Sequence, residues 1–383
     1  MSKYSFLLLK NNLSNSSKRI LSRNWRNIIF ALLLAIASSF LVDMFSRVAA
    51  LEYEAPPFSA AILCQWDCGW YSSIVADGYH RNPVAHTKGD AANWAFFPAF
   101  PLFTRVVALT TGVSAQFALV LASKFFLFLS LWAFLALVEK ELGADAKLAA
   151  GLVVAFNPYI IYAHAGYTET LYFFLTTLSF LFLHTGRFIL AGMAGALLSA
   201  TRLVGIVFLV PYLLNSSKFF REKNLQSYVP AFLLGSLLVP LGLGLYMAYL
   251  HSHVGDALAF KNVQVAWGRS VENPFAILIA GLSVSGWERF FALSALASLV
   301  MSIWLVIQRR LDYAFFLVIV TLIPLSTGLW SMPRYIFWQM PFLFGMVIIF
   351  MKNRLLGGVY LVFSGGIGAV VVVSWALGKN FVI

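Results

Sequence analysis

Residues Gln65-Trp66-Asp67-Cys68-Gly69-Trp70 set one carboxylate between two tryptophans, directly after a hydrophobic run. An aspartate ordered in this way can take a proton from an incoming hydroxyl that comes within hydrogen-bond reach. Other polar groups that a bland hydrophobic protein does not need recur along the chain. They are Asp90, His164, Tyr167, Glu169 and Arg202, the run from His251 to Asp256, then Lys261, Gln264, Trp267, Arg269 and Arg334. Each also has a plainer reading. A lone loop aspartate is commonly a helix cap or a solvated charge, and Thr168 beside Glu169 caps a helix in an ordinary way. Arg202 and Arg334 read equally as anchors snorkelling to a membrane surface. His251 and His253 form an H-x-H pair without a third ligand, so no metal is expected there. Cys64 and Cys68, the only two cysteines, bracket Trp66-Asp67. A disulfide through a tight turn, a metal site and two packed thiols all stay open.

The elements that must position these groups are membrane spans. The chain is 61% hydrophobic and 11% charged, far from the roughly 25% charged of a soluble domain. Apolar runs near the ~20 residues needed to cross a bilayer recur from end to end. An all-α polytopic membrane protein is therefore expected; a barrel would instead show strands of about ten alternating residues. The net charge is +12, but the basic residues are scattered among short connections. They serve topology, and no nucleic-acid partner is expected.

Alternation predicts about eleven spans. They run near 28–50, 115–138, 148–164, 168–184, 228–250, 287–307, 313–328, 335–350 and 355–377, with two short helices sharing 188–214. The last pair follows from Thr201-Arg202, since an arginine at mid-membrane depth is costly unless it faces protein or water. Lys3, Lys10, Lys18, Arg19, Arg23 and Arg26 precede the first span without a convincing cleavage site, which predicts a cytoplasmic N-terminus. Residues 1–27 then form a basic arm, 28–378 a single transmembrane unit with outer loops 51–113 and 251–286, and 379–383 an outer tail. In the first loop Trp70, Tyr71, Ile74, Val75 and Tyr79 fall on one helical face. Pro98 and Pro101 are expected to prevent a regular helix over 93–103. The loop should thus hold membrane-lying helices that roof a cavity, with the polar groups gathered at one side of the membrane.

Five motifs occur in order: Trp66-Asp67-x-x-Trp70-Tyr71; Trp94-Ala95-Phe96-Phe97-Pro98; Gly166-Tyr167-Thr168-Glu169; Gly255-Asp256-Ala257 with Phe260, Gln264 and Trp267-Gly268-Arg269; and Pro333-Arg334-Tyr335. Together they resemble the GPI mannosyltransferase 2 (PIG-V) family, in its bacterial branch, of the GT-C glycosyltransferase superfamily. The resemblance implies a GT-C-type fold, a polyprenyl- or dolichyl-phosphate mannose donor and an essential acid in the first outer loop, to which Asp67 corresponds. The chain is shorter than the eukaryotic members, and nothing in it identifies a GPI acceptor.

Compartment chemistry points to the same donor class. Nucleotide sugars are cytoplasmic, no inner segment is large enough for a nucleotide-binding domain, and no D-x-D metal motif appears. An outward-facing transferase then needs a donor supplied through the membrane. Its phosphate is already a good leaving group, so charge stabilisation by arginine matters more than protonation. The expected reaction is an inverting hexosyl transfer, a mannosyl transfer by the resemblance, with Asp67 as general base. Arg334 and Arg202 are expected at the donor phosphate. Tyr167, Glu169, Asp256, Gln264 and Arg269 would position substrate, while Trp66, Trp70 and Trp267 stack against sugar faces. The partners are a polyprenyl-phosphate-linked sugar, a glycan, glycolipid or protein acceptor, and membrane lipids; no cofactor or metal is expected. The setting is the inner (plasma) membrane, multi-pass, with the site facing the periplasm or exterior. Rival readings are a GT-C-like transferase of another sugar or group, a lipid-linked-sugar flippase or transporter, and a non-catalytic assembly subunit. A transporter commonly shows pseudo-symmetric halves and a midplane site, and this chain shows no evident repeat.

Overall fold

In lipid every backbone polar group must be satisfied within its own segment, so long apolar runs become helices. The computed structural model of the chain describes residues 3–51, 60–86, 88–219 and 228–379. Among these, Trp25–Ala49, Ala115–Leu142, Val229–Val254, Trp287–Ile307 and Arg354–Ala376 are long and apolar enough to cross a membrane. Shorter apolar helices lie between them: Ala99–Thr111, Glu169–Leu183, Phe188–Ser199, Leu203–Asn215, Pro274–Ser283, Leu311–Leu325 and Met340–Lys352. The chain is a polytopic helical membrane protein, as its composition predicts. Helix Glu169–Leu183 runs through the middle, packed between Ala115–Leu142 and Phe188–Ser199. The expected break in 188–214 falls where Arg202 takes an extended conformation between two helices.

Several boundaries differ from expectation, each for a local reason. Residues 93–103 are not irregular throughout: a regular helix begins at Ala99, with Pro98 at its N-cap. Pro101 is tolerated because the first turn of a helix has no partners for its N–H groups. The 148–164 span divides into helix Lys147–Ala155 and a 3-10 turn Ile160–Ala163, separated by Asn157-Pro158. The 335–350 span begins instead at Met340, after a short helix Met332–Phe337. Loop 251–286 contains an unexpected helix, Pro274–Ser283, started by Pro274 and capped by Asn273 Oδ1, which accepts from the N–H of Phe275 at 2.9 Å. Loop 51–113 also holds a small antiparallel hairpin, Val84–His86 with Gly89–Ala91. The basic arm is helical from Lys3, continuous with the first span to Leu51. Glu52, Glu54, Arg221, Lys223 and the tail from 380 lie outside the described residues.

Glu169–Leu183 is only about 22 Å long at 1.5 Å per residue, so its two ends mark two polar layers. At its C-terminal end His184 bridges Glu141 Oε1 and Asp312 Oδ2, each at 2.6 Å. Arg310 Nη1 and the Tyr313 hydroxyl donate to Glu141, and Asn215 Nδ2 donates to Asp312. Burial pushes the His184 pKa down, but the hydrogen bonds its ring donates to Asp312 and Glu141 outweigh it and raise the group to about 9. The stabilisation is therefore complete below the unfolded value near 6.5 and is lost as pH rises through about 9. His184→Gln is expected to cost about 1.5–3 kcal/mol at pH 7, the range for hydrogen bonds to charged groups. Thermal unfolding in detergent should show that gap closing by pH 10.

Candidate active site

At the other end of Glu169–Leu183 the polar residues of four chain segments converge. The first is the turn before helix Asp67–Asp77. Trp66 adopts φ 50°, a left-handed conformation that a bulky residue enters only under constraint. The constraint is visible. A disulfide joins Cys64 to Cys68 with the Cα atoms 5.1 Å apart, which decides among the three readings left open for this pair. The Tyr167 hydroxyl accepts from the N–H of Asp67 at 3.0 Å and donates to the carbonyl of Gln65 at 2.9 Å. Gln65 Nε2 donates to the carbonyls of Ile62 and Trp375, and Trp66 packs edge-on against the Trp375 ring.

The turn delivers the Asp67 carboxylate to Arg334, whose Nη2 donates to Oδ2 at 2.9 Å. Arg334 comes from the second segment, helix Met332–Phe337, whose N-cap Ser331 also has a left-handed φ of 69°. Strained backbone thus precedes both members of the pair, and such strain persists where the surroundings over-determine a geometry. The third segment is the start of helix Glu169–Leu183. Glu169 Oε1 lies 3.7 Å from Arg334 Nε and receives a short hydrogen bond from Arg202 Nη2. Arg202, from the fourth segment, also donates through Nε to the Thr168 hydroxyl at 2.8 Å. Two carboxylates and two guanidiniums thereby alternate as Asp67–Arg334–Glu169–Arg202.

Exposure separates their roles. The Glu169 side chain is 0% exposed and Arg334 is 6%, whereas Asp67 keeps 21% and Arg202 16%. Asp67 is thus the carboxylate a second molecule can reach, and Glu169 the buried counter-charge that holds both arginines. Arg334 Nε and Nη1 and Glu169 Oε2 are buried without a hydrogen-bond partner. Buried polar atoms without a hydrogen bond are uncommon and call for a further partner, water or a bound group. The Tyr162, Tyr167 and Tyr335 rings surround the Arg334 guanidinium, with centroids 5.2, 5.4 and 5.0 Å away. Tyr335 also accepts from Arg334 Nη2 at 3.2 Å and stacks on Arg202. Burial raises the Tyr335 pKa, but Arg334, then Arg269 and Arg202, outweigh it and bring it down to about 7. Three guanidiniums thus act on one phenol, against the carboxylates of Asp67 and Glu169.

The remaining candidates fall around this centre. Arg269 reaches Tyr335 electrostatically and donates through Nη1 to Gln264 Oε1 at 3.0 Å, so the two form one unit. Trp267 and Trp70 meet edge to face with centroids 5.7 Å apart, and Phe96 stacks on Trp70. These rings pack on one another instead of facing each other across a gap. Trp66 is engaged by Trp375. Asp256 does not join the cluster; its carboxylate accepts from the N–H of Leu258 and from Asn262 Nδ2 within its own loop. His164 turns toward the first span, where Ser38 Oγ is 3.1 Å from Nε2. His253 Nε2 is 3.0 Å from the Tyr79 carbonyl, and His251 is exposed. Tyr335, quoted only as part of a motif, and Tyr162 carried no assigned role in the sequence. Tyr335 had a signal in its place beside Arg334; Tyr162 had none.

Tyr167 gives a direct check on the turn. Tyr167→Phe removes both hydrogen bonds that fix Gln65 and Asp67 and is expected to cost about 1–3 kcal/mol. Thermal unfolding should register it, and any chemistry that depends on Asp67 should slow with it.

The same arrangement of helices occurs in solved structures. ArnT from Cupriavidus metallidurans bound to undecaprenyl phosphate matches with a TM-score of 0.51 and 14% identity, over 88% of this chain and 72% of that one. The apo state of the same protein matches with a TM-score of 0.50 and 15% identity, over 90% and 72%. At this identity the likeness shows the fold alone, and that fold is of the GT-C type. No protein-family model and no curated protein matches the sequence.

Proposed function

We propose that the chain is an integral-membrane glycosyltransferase that takes its sugar from a polyprenyl phosphate and delivers it, with inversion, to a hydroxyl acceptor outside the cytoplasm. The PIG-V-like motifs make mannose the sugar. The observation that carries this reading is the ion pair between partly exposed Asp67 and buried Arg334, whose Nε and Nη1 make no hydrogen bond. The undecaprenyl phosphate bound by the structurally similar ArnT supports a lipid-phosphate donor.

The chemistry follows from the charges. A polyprenyl-phosphate sugar is a phosphodiester carrying one negative charge, and its oxygens compete with Asp67 for Arg334. Binding of the donor therefore exchanges the carboxylate for the phosphate and frees Asp67 toward the acceptor. The acceptor oxygen attacks the anomeric carbon while its proton passes to Asp67. The bond from that carbon to the phosphate oxygen breaks, and the electron pair leaves with the phosphate, which becomes a dianion. Arg334, with Arg202 behind it, stabilises the added charge in a partly desolvated setting. Glu169 keeps the two arginines together, and Tyr167 holds the backbone of Asp67. Arg269 with Gln264, and the Trp70–Trp267 pair, bound the sugar side.

Purified protein incubated with radiolabelled polyprenyl-phosphate mannose and extracts of envelope glycolipid and glycan tests this reading. A labelled product with a new glycosidic bond supports it. Movement of the labelled lipid across a vesicle without a new bond would replace it with a flippase.

A further inference from the structure

We propose that the Cys64–Cys68 disulfide is a positioning element for Asp67, so that sugar transfer runs only while this bond is oxidised. The inference rests on Asp67 acting as the base. The bond closes a ring around Gln65-Trp66-Asp67, and the middle residue of that ring is the left-handed tryptophan. The Tyr167 hydroxyl binds the carbonyl of Gln65 and the N–H of Asp67 from outside the ring. Trp66 is the N-cap of helix Asp67–Asp77, and its carbonyl accepts from the N–H of Gly69 at 2.9 Å. The covalent link closes the same turn from the other side, and with the two Tyr167 hydrogen bonds it keeps Trp66 from relaxing to an ordinary φ and carrying Asp67 away from Arg334.

A second contact extends the same constraint to the rest of the site. A Cβ at Gly166 would lie 2.6 Å from Cys68 Sγ, so the sulfur is seated where only glycine leaves room. Gly166 has φ +77° and leads directly into Tyr167, Thr168 and Glu169. The disulfide therefore touches both the turn that presents Asp67 and the turn that presents Glu169. Cys68 is fully buried and Cys64 nearly so, as suits a bond that fixes geometry. Among the described residues there is no free cysteine, and the sequence has only these two. Any effect of a reductant on the wild type is consequently an effect on this bond. A dithiol supplies two electrons and two protons, leaving two thiols on the protein and itself a cyclic disulfide.

The test compares wild type, Cys64→Ser/Cys68→Ser and Asp67→Asn, each as the full chain in nanodiscs, with and without dithiothreitol. It reads kcat and donor KM for mannose transfer and Kd for undecaprenyl phosphate. The double serine variant is expected to lose at least tenfold in kcat with KM and Kd within about threefold of wild type. Dithiothreitol should do the same to the wild type, and oxidised glutathione should restore it. The residual rate of Asp67→Asn should not respond to the reductant, because the bond acts through Asp67. A serine variant within twofold of wild type in kcat overturns the inference. So does a loss shared equally by kcat, KM and Kd, or a reductant effect that persists in Asp67→Asn. Wild type reduced before reconstitution, with both thiols verified by alkylation and mass spectrometry, supplies the answer if the serine variant does not fold. Full turnover in Asp67→Asn would instead remove the base assignment, which separates the two failures.

Discussion

Asp67→Asn is expected to slow sugar transfer by about 10²–10⁴-fold, the usual contribution of a positioned general base, while polyprenyl phosphate binds as well as before or more tightly. The amide cannot take the acceptor proton. It can still accept a hydrogen bond from Arg334 Nη2, now 2.9 Å from the Asp67 carboxylate, so the turn should stay in place. What disappears is the negative charge that competes with the donor phosphate for Arg334. The Arg334 guanidinium left behind still has Glu169 Oε1 at 3.7 Å as a counter-charge, which limits the loss of stability. Parallel measurement of kcat and of undecaprenyl phosphate Kd checks both halves. A variant that loses donor affinity together with turnover would mean that Asp67 helps to bind the donor and would remove the exchange of carboxylate for phosphate.

Arg334→Gln is expected to act on both binding and stability. The guanidinium is 6% exposed and stands between Asp67 and Glu169. Removing one partner of a buried pair typically costs about 3–5 kcal/mol. Arg202 still meets Glu169, which places this variant toward the lower end of that range. Binding of undecaprenyl phosphate should weaken by at least about 100-fold, near 2.8 kcal/mol at 1.4 per tenfold. Arg334→Lys should recover only part of it, since an ammonium cannot serve the phosphate and Tyr335 through a planar fork. Thermal unfolding alongside a binding titration separates the loss of affinity from the loss of fold. Wild-type affinity in a folded Arg334→Gln protein would move the donor phosphate elsewhere.

The four charged members of the site stood out in the sequence because charge is costly in an apolar chain. Asp67, Glu169, Arg202 and Arg334 had to find water or one another, and the alternation of spans brought all four to one end. Tyr167 followed from its place beside Glu169. Tyr335 and Tyr162 were harder to see because a tyrosine in a chain with fifteen of them carries no such penalty. Their roles depend on the path of Met332–Phe337 and Ile160–Ala163, two short elements whose break points no periodicity marks. The hairpin Val84–His86/Gly89–Ala91 has three-residue strands, too short for alternation to register. Helix Pro274–Ser283 is too short to read as a span, although Asn273-Pro274 is a clear start signal once the helix is known. Pro98 and Pro101 misled because the rule against proline applies to helix interiors, and these two sit at a beginning. The disulfide needed the left-handed turn at Trp66, which a spacing of four residues does not reveal.

The central claim is that one anion site, built on Arg334, holds the donor phosphate and releases Asp67. A cryo-EM structure of the full chain in nanodiscs with a bound polyprenyl phosphate addresses it most directly. The expected result has phosphate oxygens hydrogen-bonded to Arg334, drawing on Nε and Nη1, and the Asp67 carboxylate turned away from Nη2. A phosphate bound elsewhere, with the 2.9 Å contact between Asp67 and Arg334 intact, would contradict it.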